Sequence, residues 1–94
     1  MTDEQRLHPP QAEVPAQVFW LTQAIENDPG APVNYLLRAE EWLAAGDIGA
    51  ARADFIVARD MAQDLFETSA WGYIFQSYVD RAEIGLRQCD RSVR

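Results

Sequence analysis

Three kinds of residue in this sequence can support chemistry: one histidine, one cysteine and a set of carboxylates. His8 stands beside Pro9 and Pro10. A general base must be held next to the group that it serves, and a lone imidazole on a proline-bearing arm has no such support. Cys89 has no second cysteine and no neighbouring histidine, so it reads as a half-buried thiol rather than a nucleophile or half of a disulfide. One Cys and one His also fall short of a zinc ligand set within one chain. Asp54, Asp60, Asp64 and Glu67 are placed to share one side of the chain. Two of them can make an acid–base pair in principle, but a solvated acidic face is the commoner meaning of such spacing. Gly46 and Gly49 do not make a phosphate-cradling loop, because no lysine follows them. The carboxylate spacing does not fit a calcium-binding helix–loop–helix. These residues point away from an enzyme, from a metal and from a cofactor.

Composition narrows the partners. The 94 residues make 10.6 kDa, one small domain, and 48% of them are hydrophobic, enough to build a core. Fifteen Asp and Glu face eight Arg with no Lys, a formal charge of -7. A nucleic-acid backbone or an anionic membrane surface is held by clustered cations, which this acidic chain lacks. Met1–Arg6 is polar and acidic, unlike a secretion signal. The apolar runs are far below the ~18 residues of a membrane span. A reducing cytoplasm is the expected setting.

Positioning falls to helices. Residues 1 to 15, with Pro9, Pro10 and Pro15, read as an extended, mobile tail, and a lone Pro-Pro pair is a weak signal for a proline-reading domain. Val18, Leu21 and Ile25 recur at helical spacing, and Asn27-Asp28-Pro29-Gly30 ends that helix, giving 15–27. Pro32 suits a first helical turn; Tyr35, Leu36, Ala39, Trp42 and Leu43 follow, and Gly46 ends a helix over 32–45. Asp47 is the N-cap expected for a third helix, in which Ala51, Phe55, Ala58 and Ala62 form one stripe. Asp64-Leu65-Phe66-Glu67 has the form of a capping box, which predicts a break near 63–65, against the rival of one uninterrupted helix. A fourth helix follows over about 65–89, with Gly72 and Gly85 marking close helix approach. No strand pattern competes, so the fold class is all-α: about four helices in antiparallel hairpins.

The hairpin around Gly46-Asp47 resembles the tetratricopeptide repeat. Tyr35, Ala39 and Trp42 match the aromatic, small and aromatic places of that repeat's first helix, and Ala51, Phe55 and Ala58 match its second. Leu21, Ala24 and Pro29 are spaced like Phe55, Ala58 and Gln63, so residues 16–29 resemble the second helix of a preceding repeat. Arg38-Ala39 stands where the family often has Leu-Gly, and Gln63 where it has its closing proline. The fourth helix shows little of the motif and reads as a divergent cap. The resemblance covers residues 16–63 and implies a short solenoid of one complete repeat with partial repeats on either side. It implies a non-catalytic adaptor, small chaperone or assembly factor. The basic clamp with which some members hold a terminal carboxylate is absent, since the inner face of the second helix carries Leu36, Leu37, Glu40, Leu43 and Ala44. Leu36, Leu37, Glu40 and Leu43 are thus the expected contacts for an apolar or basic peptide. Arg38 is expected to make ordinary surface pairs with Glu40 and Glu41.

Phe66, Trp71, Tyr73, Ile74, Phe75, Tyr78 and Val79 make the fourth helix read as apolar nearly all round. Such a helix needs covering, which predicts self-association, with Trp71, Phe75 and Tyr78 at the seam of a homodimer or larger homo-oligomer. A self-assembling structural unit without a peptide ligand is therefore the alternative to a peptide-binding module. A third reading is a small-molecule pocket lined by Trp20, Tyr35 and Trp42.

Overall fold

The computed structural model describes residues 14–92, and in them four helices: α1 (Ala16–Asn27), α2 (Pro32–Ala45), α3 (Ile48–Thr68) and α4 (Gly72–Ser92). The protein is all-α. The tail read over 1–15 lies outside the described residues except for Val14 and Pro15, and His8 lies outside them too. Among the described residues no helix is long and apolar enough to cross a membrane.

Local chemistry sets most of the boundaries. The Pro15 carbonyl accepts the Val18 N–H at 2.9 Å and starts α1. Pro32 occupies the first turn of α2, where its missing N–H has no intrahelical partner to lose. Gly46 closes α2 at φ 88°, a left-handed conformation that a Cβ would disfavour. Its N–H donates to the Leu43 carbonyl at 3.1 Å, while the Asp47 N–H reaches back to the Trp42 carbonyl at 2.9 Å. This pair of bonds satisfies carbonyls at the end of α2. The Asp47 carboxylate then accepts the Ala50 N–H at 3.1 Å and caps α3. One Gly-Asp pair thus ends one helix and starts the next.

The break after α3 falls at 69–71, not at 63–65, and α4 starts at Gly72. Asp64 and Glu67 are exposed residues inside α3, not a cap. Nothing at 63–65 interrupts the backbone ladder, and no proline or glycine stands there. Instead Ser69 leaves the helix in an extended conformation, and its hydroxyl accepts the Trp71 N–H at 3.0 Å. The helix stops where a serine offers the backbone another partner.

Consecutive helices pack as antiparallel pairs, and α4 also folds back onto α2. The core is formed by Leu36 and Ala39 of α2, Ala51, Phe55 and Ala58 of α3, and Ala82 and Cys89 of α4. Tyr35, Trp42, Leu43, Ile48, Tyr78 and Leu86 pack against it. Gly85 is required on steric grounds. A Cβ there would lie 2.2 Å from Cζ of Phe55, so only glycine lets α4 come this close to α3.

The pattern of α4 corrects one expectation. It is amphipathic rather than apolar all round: Val79, Ala82, Gly85 and Cys89 are buried, while Gln76, Ser77, Asp80, Arg81, Arg87 and Gln88 face solvent. Phe66 belongs to α3 and Trp71 to the connection. Tyr35, Leu36, Arg38, Ala39, Glu40 and Leu43 of α2 recur as Tyr78, Val79, Arg81, Ala82, Glu83 and Leu86 of α4, in the same order and spacing. Burial largely recurs with them, since Leu36, Val79, Ala39 and Ala82 are buried while both tyrosines and both leucines are half-buried.

Candidate functional site

A concave surface lies between α2 and α4 and has a volume of about 340 Å³. Its walls are Leu43 and Ala44 from α2 and Ile84, Gly85 and Gln88 from α4, with Phe55 of α3 at the base. Two charged residues cross its rim. Arg81 donates through Nη2 to Oε1 of Glu40 at 2.7 Å and through Nε to Oε2 at 3.3 Å. Both side chains are well exposed. Such a pair is screened by water and contributes ~0–1 kcal/mol, so a ligand can open it at little cost. The lining is apolar with two charges at its edge, an arrangement suited to burying an apolar anchor while pairing a charge.

Of the contacts expected on α2, Glu40 and Leu43 line this groove. Leu37 is exposed on the same helix. Leu36 is corrected: it is fully buried in the core and has no surface to offer a partner. The register of α2 explains this, because Pro32, Leu36 and Ala39 are its inward residues. Ile84, Arg81 and Gln88 supply the opposite wall, which reasoning from sequence does not find. The recurrence of the α2 pattern in α4 does not point to it, since Glu40 and Leu43 correspond to Glu83 and Leu86, which lie outside the groove.

The six residues assigned to packing between hairpins gather in one place. Ala39, Ala51, Phe55 and Ala58 are buried, and Tyr35 and Trp42 pack against them. Trp20, Tyr35 and Trp42, the lining expected of a small-molecule pocket, are not among the residues of the α2–α4 groove. Trp20 is 64% exposed and stacks edge-on against Phe19 instead, at a centroid distance of 5.0 Å. Of the expected seam residues, Trp71 is 59% exposed, while Phe75 and Tyr78 are half-buried and meet edge to face at 6.0 Å.

The carboxylates do not form one acidic face. Asp54 is buried, and Arg38 grips it with two bonds, Nε to Oδ2 at 2.6 Å and Nη2 to Oδ1 at 2.9 Å. The third Arg38 bond runs from Nη1 to the Thr22 hydroxyl of α1 at 3.0 Å. The guanidinium also lies 5.7 Å from the Tyr35 ring centroid. Arg38 is therefore not a surface residue pairing with Glu40 and Glu41; it links three helices. The hydrogen bonds to Asp54 push its pKa further up, with desolvation working the other way. Each guanidinium nitrogen has a partner, and no buried side-chain polar atom among the described residues lacks one. This cluster is structural and offers no open position to a substrate.

Cys89 is fully buried, and burial pushes its thiol pKa up, with Arg52 opposing and Asp90 adding to the rise. It stays a protonated thiol in an apolar setting, the opposite of an activated nucleophile. Among the described residues no group of three His, Cys, Asp or Glu side chains converges to hold a metal. Comparison of the chain with protein-family models, with curated proteins and with solved structures gives no match.

Proposed function

We propose that the chain is a non-catalytic protein-interaction module of tetratricopeptide type, acting in the cytoplasm as an adaptor, small chaperone or assembly factor. Its binding surface is the groove between α2 and α4. The observation that carries this reading is the groove itself: apolar walls from Leu43, Ala44 and Ile84, and a weak Glu40–Arg81 bridge across its rim. The compact α2–α3 hairpin around Gly46-Asp47 and the recurrence of the α2 pattern in α4 support the repeat reading. An amphipathic segment bearing leucines and cations suits the groove, since leucines bury against its walls and cations pair with Glu40 and Glu41.

The test uses an amphipathic Leu-Lys peptide titrated into isotopically labelled protein. Amide shifts are expected at Leu37, Glu40, Leu43, Arg81 and Ile84. Reversing both charges, Glu40→Arg with Glu41→Arg, is expected to weaken binding about tenfold or more, each lost and reversed contact being worth ~1 kcal/mol. Shifts confined to other surfaces, or an affinity unmoved by the reversal, sink the reading.

A further inference from the structure

Residues 64 to 73 contain Phe66, Trp71 and Tyr73, the carboxylates Asp64 and Glu67, and no cation. They build the tip where α3 turns into α4. The backbone of this tip is fixed: the Thr68 hydroxyl donates to the Asp64 carbonyl, Ser69 accepts the Trp71 N–H, and the Trp71 carbonyl accepts the Ile74 N–H at 3.0 Å. The Phe66 ring lies against Gly72, which has no Cβ to displace it; one placed there would come within 3.2 Å of the ring. The ring thus has a defined place against the start of α4. Even so, Phe66 is 42% exposed, Trp71 59% and Tyr73 70%. Asp64 and Glu67 stand on the last turns of α3, and among the described residues neither forms an ion pair.

From this juxtaposition we propose that the α3–α4 tip is a second docking surface, taking an Arg- or Lys-bearing segment of an unlike protein. Exposed aromatic faces attract cations through their quadrupole, and neighbouring carboxylates add charge attraction without a competing cation on the tip. The molecule already uses this chemistry internally, with Arg38 over Tyr35 and paired to Asp54. The occupant is an unlike, basic protein because the whole chain carries -7, which sets copies of it against one another. This surface is separate from the α2–α4 groove, and the proposal stands whether or not that groove binds anything.

A short Arg-Gly repeat peptide is the probe, with a Glu-Gly repeat of equal length as control, each titrated into the labelled full chain. The Arg-Gly peptide is expected to shift the Glu67 and Tyr73 amides and the Trp71 indole, and the control to shift none of them. Trp71→Ala with Tyr73→Ala is expected to weaken binding about fivefold to tenfold, as two exposed cation–π contacts predict. Asp64→Asn with Glu67→Gln weakens it comparably, while Glu26→Gln, an exposed carboxylate of α1 outside both surfaces, leaves it unchanged. Trp71→Leu keeps bulk without the ring face and covers the case in which the double variant misfolds; it too weakens binding. Three results overturn the proposal: equal affinity for the ring-removed variants, shifts spread evenly over all carboxylates, or a concentration-dependent dimer that Trp71→Ala dissolves. The last would make a second copy the occupant.

Discussion

Arg38 is the residue on which three helices converge. Its guanidinium satisfies Asp54 on α3 and Thr22 on α1 while lying near the Tyr35 ring. Removing one partner of a mostly buried pair leaves the other charge with neither water nor a counter-ion, which outweighs the modest net worth of the intact pair. Asp54→Ala is therefore expected to cost about 2–4 kcal/mol, below the range for fully dry pairs because Arg38 retains 20% side-chain exposure. Asp54→Asn keeps an acceptor and costs less. Replacing both, Arg38→Met with Asp54→Leu, removes the charges together and is expected to recover most of the loss. Urea unfolding of the three variants checks this order, and a double replacement no better than Asp54→Ala refutes it. The pair is not legible in the sequence. Its members are 16 residues apart, and only the register set by the Gly46-Asp47 turn brings them face to face. Signals confined to a few neighbours, such as Pro32 at a helix start or Asp47 as a cap, are readable because their partners are local.

At the scale of elements, the same division holds. The ends of α1 and α2 and the start of α3 follow from proline, glycine and aspartate chemistry. The end of α3 does not, because the capping-box pattern at Asp64–Glu67 competes with a ladder that nothing there interrupts. The groove is half legible: Glu40 and Leu43 can be found from sequence, and the α4 wall cannot, since Arg81 stands 41 residues from Glu40 and only the packing of α4 on α2 brings the two together. Gly85 is recognisable as a close-approach residue, and Phe55 is what it approaches. Gly85→Ala gains up to ~1 kcal/mol of helix propensity. The added methyl meets a fully buried ring at 2.2 Å, and overpacking of that kind costs about 1–3 kcal/mol. The net expectation is destabilisation. Phe55→Leu alone is also destabilising because it leaves a cavity, but combined with Gly85→Ala it makes room for the methyl. The double-mutant cycle should therefore show a favourable coupling of roughly 1 kcal/mol or more. Strict additivity would mean that α4 shifts as a whole and that the ring contact does not hold its position.

The whole molecule is unevenly tied together. α4 packs on both α3 and α2, and α3 packs on α2, so these three helices share one core. Among the described residues α1 packs on α2 alone, and its polar link to the rest runs from Thr22 to Arg38. A helix of 12 residues is marginal in water by itself, so α1 persists through this one packed face. That face carries Val18 and Ile25, whereas Phe19 and Trp20 project away from it. Local opening free energy follows the number of contacts that an opening breaks. Native-state hydrogen exchange should then show the α1 amides opening about 1–2 kcal/mol or more below the amides of Phe55, Ala58 and Ala82. Thr22→Val should widen that gap, because it removes the acceptor of Arg38 without touching the three-helix core. If α1 amides exchange at the same free energy as Phe55, the four helices unfold as one unit and Thr22 is not the tether. A loosely held α1 beside a firm α2–α4 frame also leaves the groove and the α3–α4 tip on the part of the molecule that stays folded when α1 opens.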